Sequence, residues 1–249
     1  MKKKLLIYGG FFVLLLAAFD FFISKYTDFF QSDLTVINDH IQPFSFVDQN
    51  GRPFTQKNVA GKVYVTEYFF TTCKAICPRI NANMRRVYDA FKDDSDFVIV
   101  SHTCMPETDS VPVLKRYEYK MLTGKLVEGE DGVYEVDGPY KDSANCPTLP
   151  ANFKTNWFFV TGDKGALYSM AKHSYMIDDN RIDTTQKISD QFLHTQLFAL
   201  IDKQMRVRGI YDGLKEDEVE KLLSDIKDLE KEKSAQASAV NNGWSNTPN

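Results

Sequence analysis

Residues 63–84 read VYVTEYFFTTCKAICPRINANM, and this stretch decides the fold class. Residues 63–70 are β-branched and aromatic almost throughout, which is typical of a strand that is buried on both faces. Cys73 and Cys77 follow at once, and Pro78 suits the first turn of a helix that reaches about Phe91. The stretch therefore predicts a buried strand, a short loop with two thiols, and a helix.

Further segments of the chain also predict strands and helices in turn. FVIVSHT at 97–103 and NWFFVTG at 156–162 predict further strands, and LFALIDKQMRVRGIYDG at 197–213 predicts an antiparallel pair around a turn at Lys203-Gln204. FSFVDQNGRPF predicts a hairpin at Asn50-Gly51 near the start of the domain. We predict helices around 111–122, at 164–173 and at 216–233. This order predicts an α/β, thioredoxin-like fold, in which sites gather at the carboxyl ends of the strands.

The chain begins with a charged and then apolar segment. Met1 to Lys4 carries three lysines, and the run from Leu5 to Ile23 is apolar apart from Asp20. We expect an N-terminal anchor in the cytoplasmic (inner) membrane that leaves the domain on the periplasmic or extracytoplasmic side, with cleavage as a signal peptide as the alternative. The predicted organisation is an anchor at 1–25, a linker at 26–43, a thioredoxin-like domain at 44–233 with an inserted surface excursion at about 123–155, and a disordered tail at 234–249.

The net charge and the cysteine content limit the classes of partner and chemistry that we expect. The formal net charge is −4, and lysines and glutamates are interleaved, so no basic stripe exists to neutralise phosphates. Nucleic acid is therefore excluded as an expected partner. Four cysteines in an exported chain are expected to be paired, metal-bound or catalytic.

Cys73 and Cys77 are the leading candidates for chemistry. Residues four apart on a helix lie about 5–6 Å from each other, close enough to form a disulfide or to hold one soft metal ion. We expect Lys74 and the helix N-terminus to depress a thiol pKa here. A structural disulfide without further chemistry is the alternative.

Four stretches together resemble the Sco/SenC family of copper-handling proteins with a thioredoxin fold. They are FTTCKAICPRINANM, VSHTCMPETDSVPVLKRY, WFFVTGDKGALYSMAKHSY and HTQLFALIDKQMRVRGIYDG, and the resemblance covers roughly residues 44–229. It implies Cys73, Cys77 and His194 as copper ligands, a membrane anchor, and delivery to the dinuclear copper centre of a respiratory haem-copper oxidase. Lys74 stands where a proline is common in the family. Two thiolates and an imidazole form a soft donor set that selects Cu(I), and Cu(II) binding is left open.

A second function class remains open from the sequence. A thiol-disulfide oxidoreductase would use Cys73 as nucleophile and Cys77 as resolving thiol, would reduce an exported copper-binding protein, and would need a thiol reductant as partner. Against it, the chain has no proline between Pro150 and Pro248 to dock a substrate. A copper or redox sensor would use the same ligands, so whether the chain is an enzyme is left open.

The remaining cysteines and histidines have secondary roles in this interpretation. Cys104 and Cys146 are expected to form a structural disulfide, with thiol exchange between Cys104 and the first pair as the alternative. His102 ends a predicted strand at the edge where the cysteines lie, so it is a candidate for an additional ligand or for support of one. His40 and His173 have weaker claims.

Overall fold

The structure is a computed structural model that describes residues 2–26, 34–129, 132–138, 147–150, 152–178 and 195–232. His194, Cys146 and the tail from residue 234 lie outside these ranges, so what the sequence predicts of them stays a prediction. The chain divides into two compact units, residues 1–33 with 231–249, and residues 34–230.

The first unit contains helix α1, Lys2–Tyr26. In the part of the chain that the structure describes, no helix is long and apolar enough to cross a membrane.

The second unit is built on a mixed seven-stranded sheet in the order β2-β1-β7-β4-β3-β8-β9. Strands β3, β4 and β7 are parallel neighbours, and the other pairs in the sheet are antiparallel. The strands are β1 (Ser45–Asp48), β2 (Pro53–Thr55), β3 (Val63–Phe69), β4 (Phe97–Thr103), β7 (Trp157–Thr161), β8 (Leu197–Ile201) and β9 (Val207–Asp212). A separate two-stranded hairpin consists of β5 (Lys125–Glu128) and β6 (Tyr134–Asp137).

Helices cover both faces of the sheet. They are α2 (Gln56–Val59), α3 (Cys77–Phe91), α4 (Val111–Thr123), α5 (Lys164–Ser169), a π-helical turn (Met170–Ser174) and α6 (Glu216–Lys231). Apolar residues of α3, α4 and α6 pack on one face, and those of α5 and the π-helical turn pack on the other. Because β3 lies between the two layers, all seven of its residues are buried.

The opening hairpin shows why the turn prediction succeeds. The Asp48 carboxylate accepts hydrogen bonds from the backbone N–H groups of Asn50 and Arg52, each at 2.8 Å. Gly51 has a φ of +74°, a conformation that residues with a Cβ rarely adopt. The turn therefore forms at the predicted Asn50-Gly51 and brings β2 back along β1.

The segment that precedes β1 lies along the edge of the sheet. Ile37 N–H donates to the carbonyl of Val207 at 2.8 Å, and the Arg208 guanidinium donates to the carbonyl of Leu34 at 2.6 and 3.1 Å. Arg208 also forms a 3.0 Å ion pair with Asp202. The buried Arg208 thus fixes this segment against β9.

The structure confirms the predicted α/β architecture and adjusts its details. The predicted helix at 164–173 is an α-helical turn followed by a π-helical turn, and α6 is described to Lys231 rather than residue 233. The predicted excursion at 123–155 does contain a small hairpin, β5–β6, outside the main sheet.

Candidate thiol site

Cys73 and Cys77 lie together beyond the carboxyl end of β3. Cys73 belongs to the loop between β3 and α3 and is half-buried, whereas Cys77 is the first residue of α3 and is only 4% exposed. Both are free thiols, and Cys73 lies close enough to Cys77 to raise the pKa of the Cys77 thiol. The structure therefore brings together the two thiols that the sequence singles out.

Local backbone structure explains this placement. Cys73 N–H donates to the carbonyl of Phe70 at 3.2 Å, which turns the chain directly after β3. The Ile76 carbonyl accepts hydrogen bonds from the N–H groups of Arg79 and Ile80, both at 3.1 Å, and so opens α3. Pro78 costs the helix nothing at this position because first-turn N–H groups have no intrahelical partner.

Burial controls the protonation of Cys77. Loss of solvation raises the pKa of the Cys77 thiol well above its usual value, and the neighbouring Cys73 thiol raises it further. A hydrogen bond from the backbone of Phe70 acts in the opposite direction but is the weaker effect. The sequence-based expectation of a depressed thiol pKa is therefore wrong for Cys77, because desolvation exceeds what the helix N-terminus and the exposed Lys74 supply.

A buried carboxylate joins the cysteine loop to the loop that follows β4. Asp109 accepts hydrogen bonds from Thr71 N–H at 3.1 Å, from the Thr71 hydroxyl at 2.6 Å and from the Thr103 hydroxyl at 2.6 Å. Burial raises the pKa of Asp109, and these hydrogen bonds oppose that rise. Sequence reasoning missed Asp109, because an aspartate between two elements gives no signal of a long-range contact.

Cys104 lies near Cys73 and Cys77, but its thiol is buried and protonated. Its backbone N–H and its thiol both donate to the carbonyl of Phe69, at 2.9 and 3.3 Å. Burial, followed by the charge of Asp109, raises the pKa of the Cys104 thiol to about 12. Such a buried, protonated thiol is a poor nucleophile, which disfavours exchange with Cys73 or Cys77. Cys104 is a free thiol in this structure. The predicted disulfide with Cys146 depends on a residue outside the described ranges and stays a prediction.

His102 does not join the thiols. Its ring stacks on Tyr68 with centroids 4.9 Å apart and also contacts the rings of Phe46 and Tyr175. These aromatic residues form the layer on the face opposite to the one that holds Cys77. Burial lowers the pKa of His102 to about 3, and neither ring nitrogen has a hydrogen-bond partner within the described ranges. His102 is thus a neutral core residue, while His40 and His173 are exposed.

Glu67 is a second buried acid that the sequence reading passed over. Ser101 donates to Glu67 Oε1 at 2.7 Å, and the Trp157 indole N–H donates to the Ser101 hydroxyl at 2.8 Å. Burial raises the pKa of Glu67 to about 8. The signal was present as the one carboxylate in an otherwise β-branched and aromatic strand.

The two thiols of Cys73 and Cys77 provide part of a binding site for a soft metal ion. Across the described ranges, no group of three or more histidine, cysteine, aspartate or glutamate side chains is placed to hold a metal ion. Cys73 and Cys77 supply two adjacent sulfur atoms, which favour Cu(I) over hard cations. A third donor would have to come from outside these ranges, where His194 lies.

An α/β sheet with adjacent thiols beyond the carboxyl end of a central parallel strand defines a thioredoxin-like thiol protein. Comparison with known proteins shows which family the chain is similar to. The SCO1/SenC family model matches residues 33–125. The SCO1 protein homolog of Bacillus subtilis (strain 168) is 25% identical over 193 residues, which make up 77% of this chain and 83% of that protein. The chain is therefore similar to proteins of the Sco/SenC family.

Solved structures confirm the fold. BsSco, described with a disulfide switch and as a member of the Sco family of cytochrome c oxidase assembly proteins, matches with a TM-score of 0.57 and 24% identity over 82% of this chain and all of that one (100%). A SCO1/SenC family lipoprotein from Bacillus anthracis str. Ames matches with a TM-score of 0.56 and 24% identity, over 79% and 98% of the two chains. Copper-bound ScoI of Bradyrhizobium japonicum matches with a TM-score of 0.50 and 19% identity, over 76% and 98%.

Proposed function

We propose that this protein is a copper chaperone that holds Cu(I) through Cys73, Cys77 and His194 and delivers it to a copper centre of a respiratory cytochrome c oxidase. The observation that carries the proposal is the placement of a half-buried thiol, Cys73, near a buried thiol, Cys77, beyond the end of β3. Similarity to the Sco/SenC family supports it, as does the copper bound by the structural relative ScoI. The role of His194 rests on the resemblance stated above.

The two thiols have different tasks in this mechanism. Cys73 offers a sulfur that an incoming donor or acceptor of copper reaches from solvent. Cys77 is protonated at neutral pH because burial raises its pKa, so copper must displace its proton to gain a thiolate ligand. Both cysteines must be reduced before the metal binds, which requires a thiol reductant as a further partner. Copper is the cargo of this process.

The site of action follows from the predicted anchor. We propose that residues 1–25 attach the protein to the cytoplasmic membrane and that the domain works on the periplasmic or extracytoplasmic side. The apolar run from Leu5 to Ile23 supports this proposal, together with the lipoprotein description of the relative from Bacillus anthracis.

A thiol-disulfide oxidoreductase is the second candidate. The proximity of the two thiols favours it, because a disulfide requires two cysteines that lie close together, as Cys73 and Cys77 do at the start of α3. The disulfide switch described for BsSco, to which this chain is similar, supports a redox role for Cys73 and Cys77 here. The raised pKa of Cys77 counts against fast exchange, because little of this thiol is ionised at neutral pH.

Copper titration tests the first proposal. The purified full chain, reduced and kept anaerobic, is titrated with Cu(I) against a competing chelator. We expect one Cu(I) per chain and an affinity that falls at least tenfold in His194→Ala and in Cys73→Ser. His173→Ala is the matched control, because this exposed histidine lies away from the thiols, and its affinity should stay within twofold of the wild type. Equal affinities for wild type and His194→Ala would contradict the ligand set and favour the oxidoreductase.

A further inference from the structure

The buried carboxylate of Asp109 is shared by two loops. Its three hydrogen bonds come from the backbone N–H and hydroxyl of Thr71 and from the hydroxyl of Thr103, at 3.1, 2.6 and 2.6 Å. Thr71 lies two residues before Cys73, and Thr103 is the last residue of β4. The carboxylate therefore connects the cysteine loop to the neighbouring strand.

Asp109 itself is held on an ordered turn. Its backbone N–H donates to the carbonyl of Met105 at 2.9 Å, and Met105 N–H donates to the hydroxyl of Thr103 at 3.0 Å. Ser110, the next residue, is the N-cap of α4. The carboxylate is thus fixed by strand β4 on one side and helix α4 on the other.

The cysteine loop has little buried surface of its own. Thr72, Lys74 and Ala75 are exposed, and Cys73 is half-buried. The Thr71 side chain, in contrast, is buried at the base of the loop. A short loop with mostly exposed side chains depends for its position on the hydrogen bonds at its base.

We propose that Asp109 is a positioning residue for Cys73, which holds the base of the cysteine loop through Thr71 so that Cys73 stays near Cys77. This inference rests on Cys73 and Cys77 as the reactive pair of the proposed function. Because the loop is already ordered, metal binding or disulfide formation does not carry the entropic cost of ordering it. Release of Thr71 lowers the effective concentration of one thiol near the other.

The reduction potential of the thiol pair tests this inference without copper. The full chain is equilibrated with mixtures of reduced and oxidised dithiothreitol. In the exchange the two protein thiols give two electrons and two protons to oxidised dithiothreitol, which becomes the dithiol. Thr71→Val removes the 2.6 Å hydroxyl bond at nearly constant volume. We expect about a tenfold smaller equilibrium constant for the Cys73–Cys77 disulfide, equivalent to a potential about 30 mV higher.

Two variants separate positioning from stability. Thr71→Ser keeps the hydroxyl, so its equilibrium constant for the Cys73–Cys77 disulfide should stay within twofold of the wild-type value. Thr103→Val removes another 2.6 Å hydrogen bond to the same carboxylate but leaves Thr71 attached, so the thermal midpoint should fall while the potential stays unchanged. Equal shifts in reduction potential in Thr71→Val and Thr103→Val would overturn the proposal. So would an equilibrium constant of Thr71→Val that stays within twofold of the wild-type value.

Substitution of Asp109 separates hydrogen bonding from charge. An asparagine can donate from its amide nitrogen to the Thr71 hydroxyl while its oxygen accepts the other two hydrogen bonds. Asp109→Asn should therefore keep the wild-type potential, and Asp109→Ala should shift it as Thr71→Val does. A shift in Asp109→Asn as large as that in Asp109→Ala would assign the effect to charge and reject the positioning role. Weak Cu(I) binding by the wild type would sink the chaperone proposal and leave this comparison intact.

Discussion

The Glu67 carboxylate accepts a 2.7 Å hydrogen bond from the Ser101 hydroxyl, in the middle of the sheet and out of contact with solvent. The pKa of Glu67 is raised from about 4.5 to about 8 by burial. Between these values the folded protein binds a proton that the unfolded chain has lost. Stability from this group is therefore fully present below about pH 4.5 and is lost as the pH rises to about 8.

Glu67→Gln should remove this pH dependence. One extra bound proton changes the free energy of unfolding by about 1.4 kcal/mol per pH unit. Urea unfolding at pH 6, 7 and 8 should show a wild-type stability that falls by up to about this much per unit relative to the variant. Parallel pH profiles for the two proteins would show that Glu67 titrates normally.

His102 should act at the acid side with the opposite sign. Its pKa is lowered from 6.5 to about 3 by burial, so between these values the unfolded chain binds a proton that the folded protein excludes. Stability is therefore lost as the pH falls from about 6.5. His102→Phe keeps an aromatic ring against Tyr68 and cannot titrate, so its unfolding free energy should fall less steeply between pH 6 and 4. A slope equal to that of the wild type would contradict this account.

The cysteines that the structure describes should react with thiol reagents in a fixed order. Cys73 is half-buried, whereas Cys77 and Cys104 are nearly inaccessible and have pKa values raised by burial. Brief iodoacetamide treatment of the reduced native protein should label Cys73 at least tenfold faster than Cys77 or Cys104, as read by peptide mass spectrometry. Urea should equalise the three rates. Equal rates in the native protein would contradict the burial of Cys77.

Arg208→Ala should destabilise the fold more than Arg206→Ala. Both guanidinium groups bind Asp202, at 3.0 and 2.7 Å, but Arg208 is buried and Arg206 is one-third exposed. Removal of one partner of a buried ion pair lowers the free energy of unfolding by about 3–5 kcal/mol in other proteins, whereas a surface ion pair contributes about 0–1 kcal/mol. Because Arg206 still pairs with Asp202, we expect a loss of about 2–3 kcal/mol for Arg208→Ala. Denaturant midpoints measure the difference, and equal losses would place the two arginines in the same environment.

The sheet could be predicted from the sequence because its central strands leave a simple pattern. Residues 63–69 and 97–103 are buried on both faces and are therefore almost uniformly apolar or β-branched, a pattern that is visible in the sequence itself. The cysteine spacing correctly predicted that the two thiols lie near each other, but helical spacing is not the cause, because Cys73 lies in the loop and only Cys77 belongs to α3.

Other features depended on contacts between distant parts of the chain. The pKa of Cys77 is raised because the core covers its sulfur, and no local pattern around Lys74 and Pro78 reports that cover. Asp109 contacts Thr71 across 38 residues of sequence. His102 was predicted at the correct edge, but which face its ring occupies follows from the aromatic residues that pack around it.

The unequal exposure of Cys73 and Cys77 has a kinetic consequence for a copper-handling role. Of Cys73 and Cys77, Cys73 is the more exposed, so in the proposed role the protein that loads copper and the protein that receives it would both approach Cys73. Under the proposed function, the two partners would then compete for one position and would not bind productively at the same time. Copper transfer through this site would follow a ping-pong order, with the donor gone before the recipient arrives, rather than pass through a complex of three proteins.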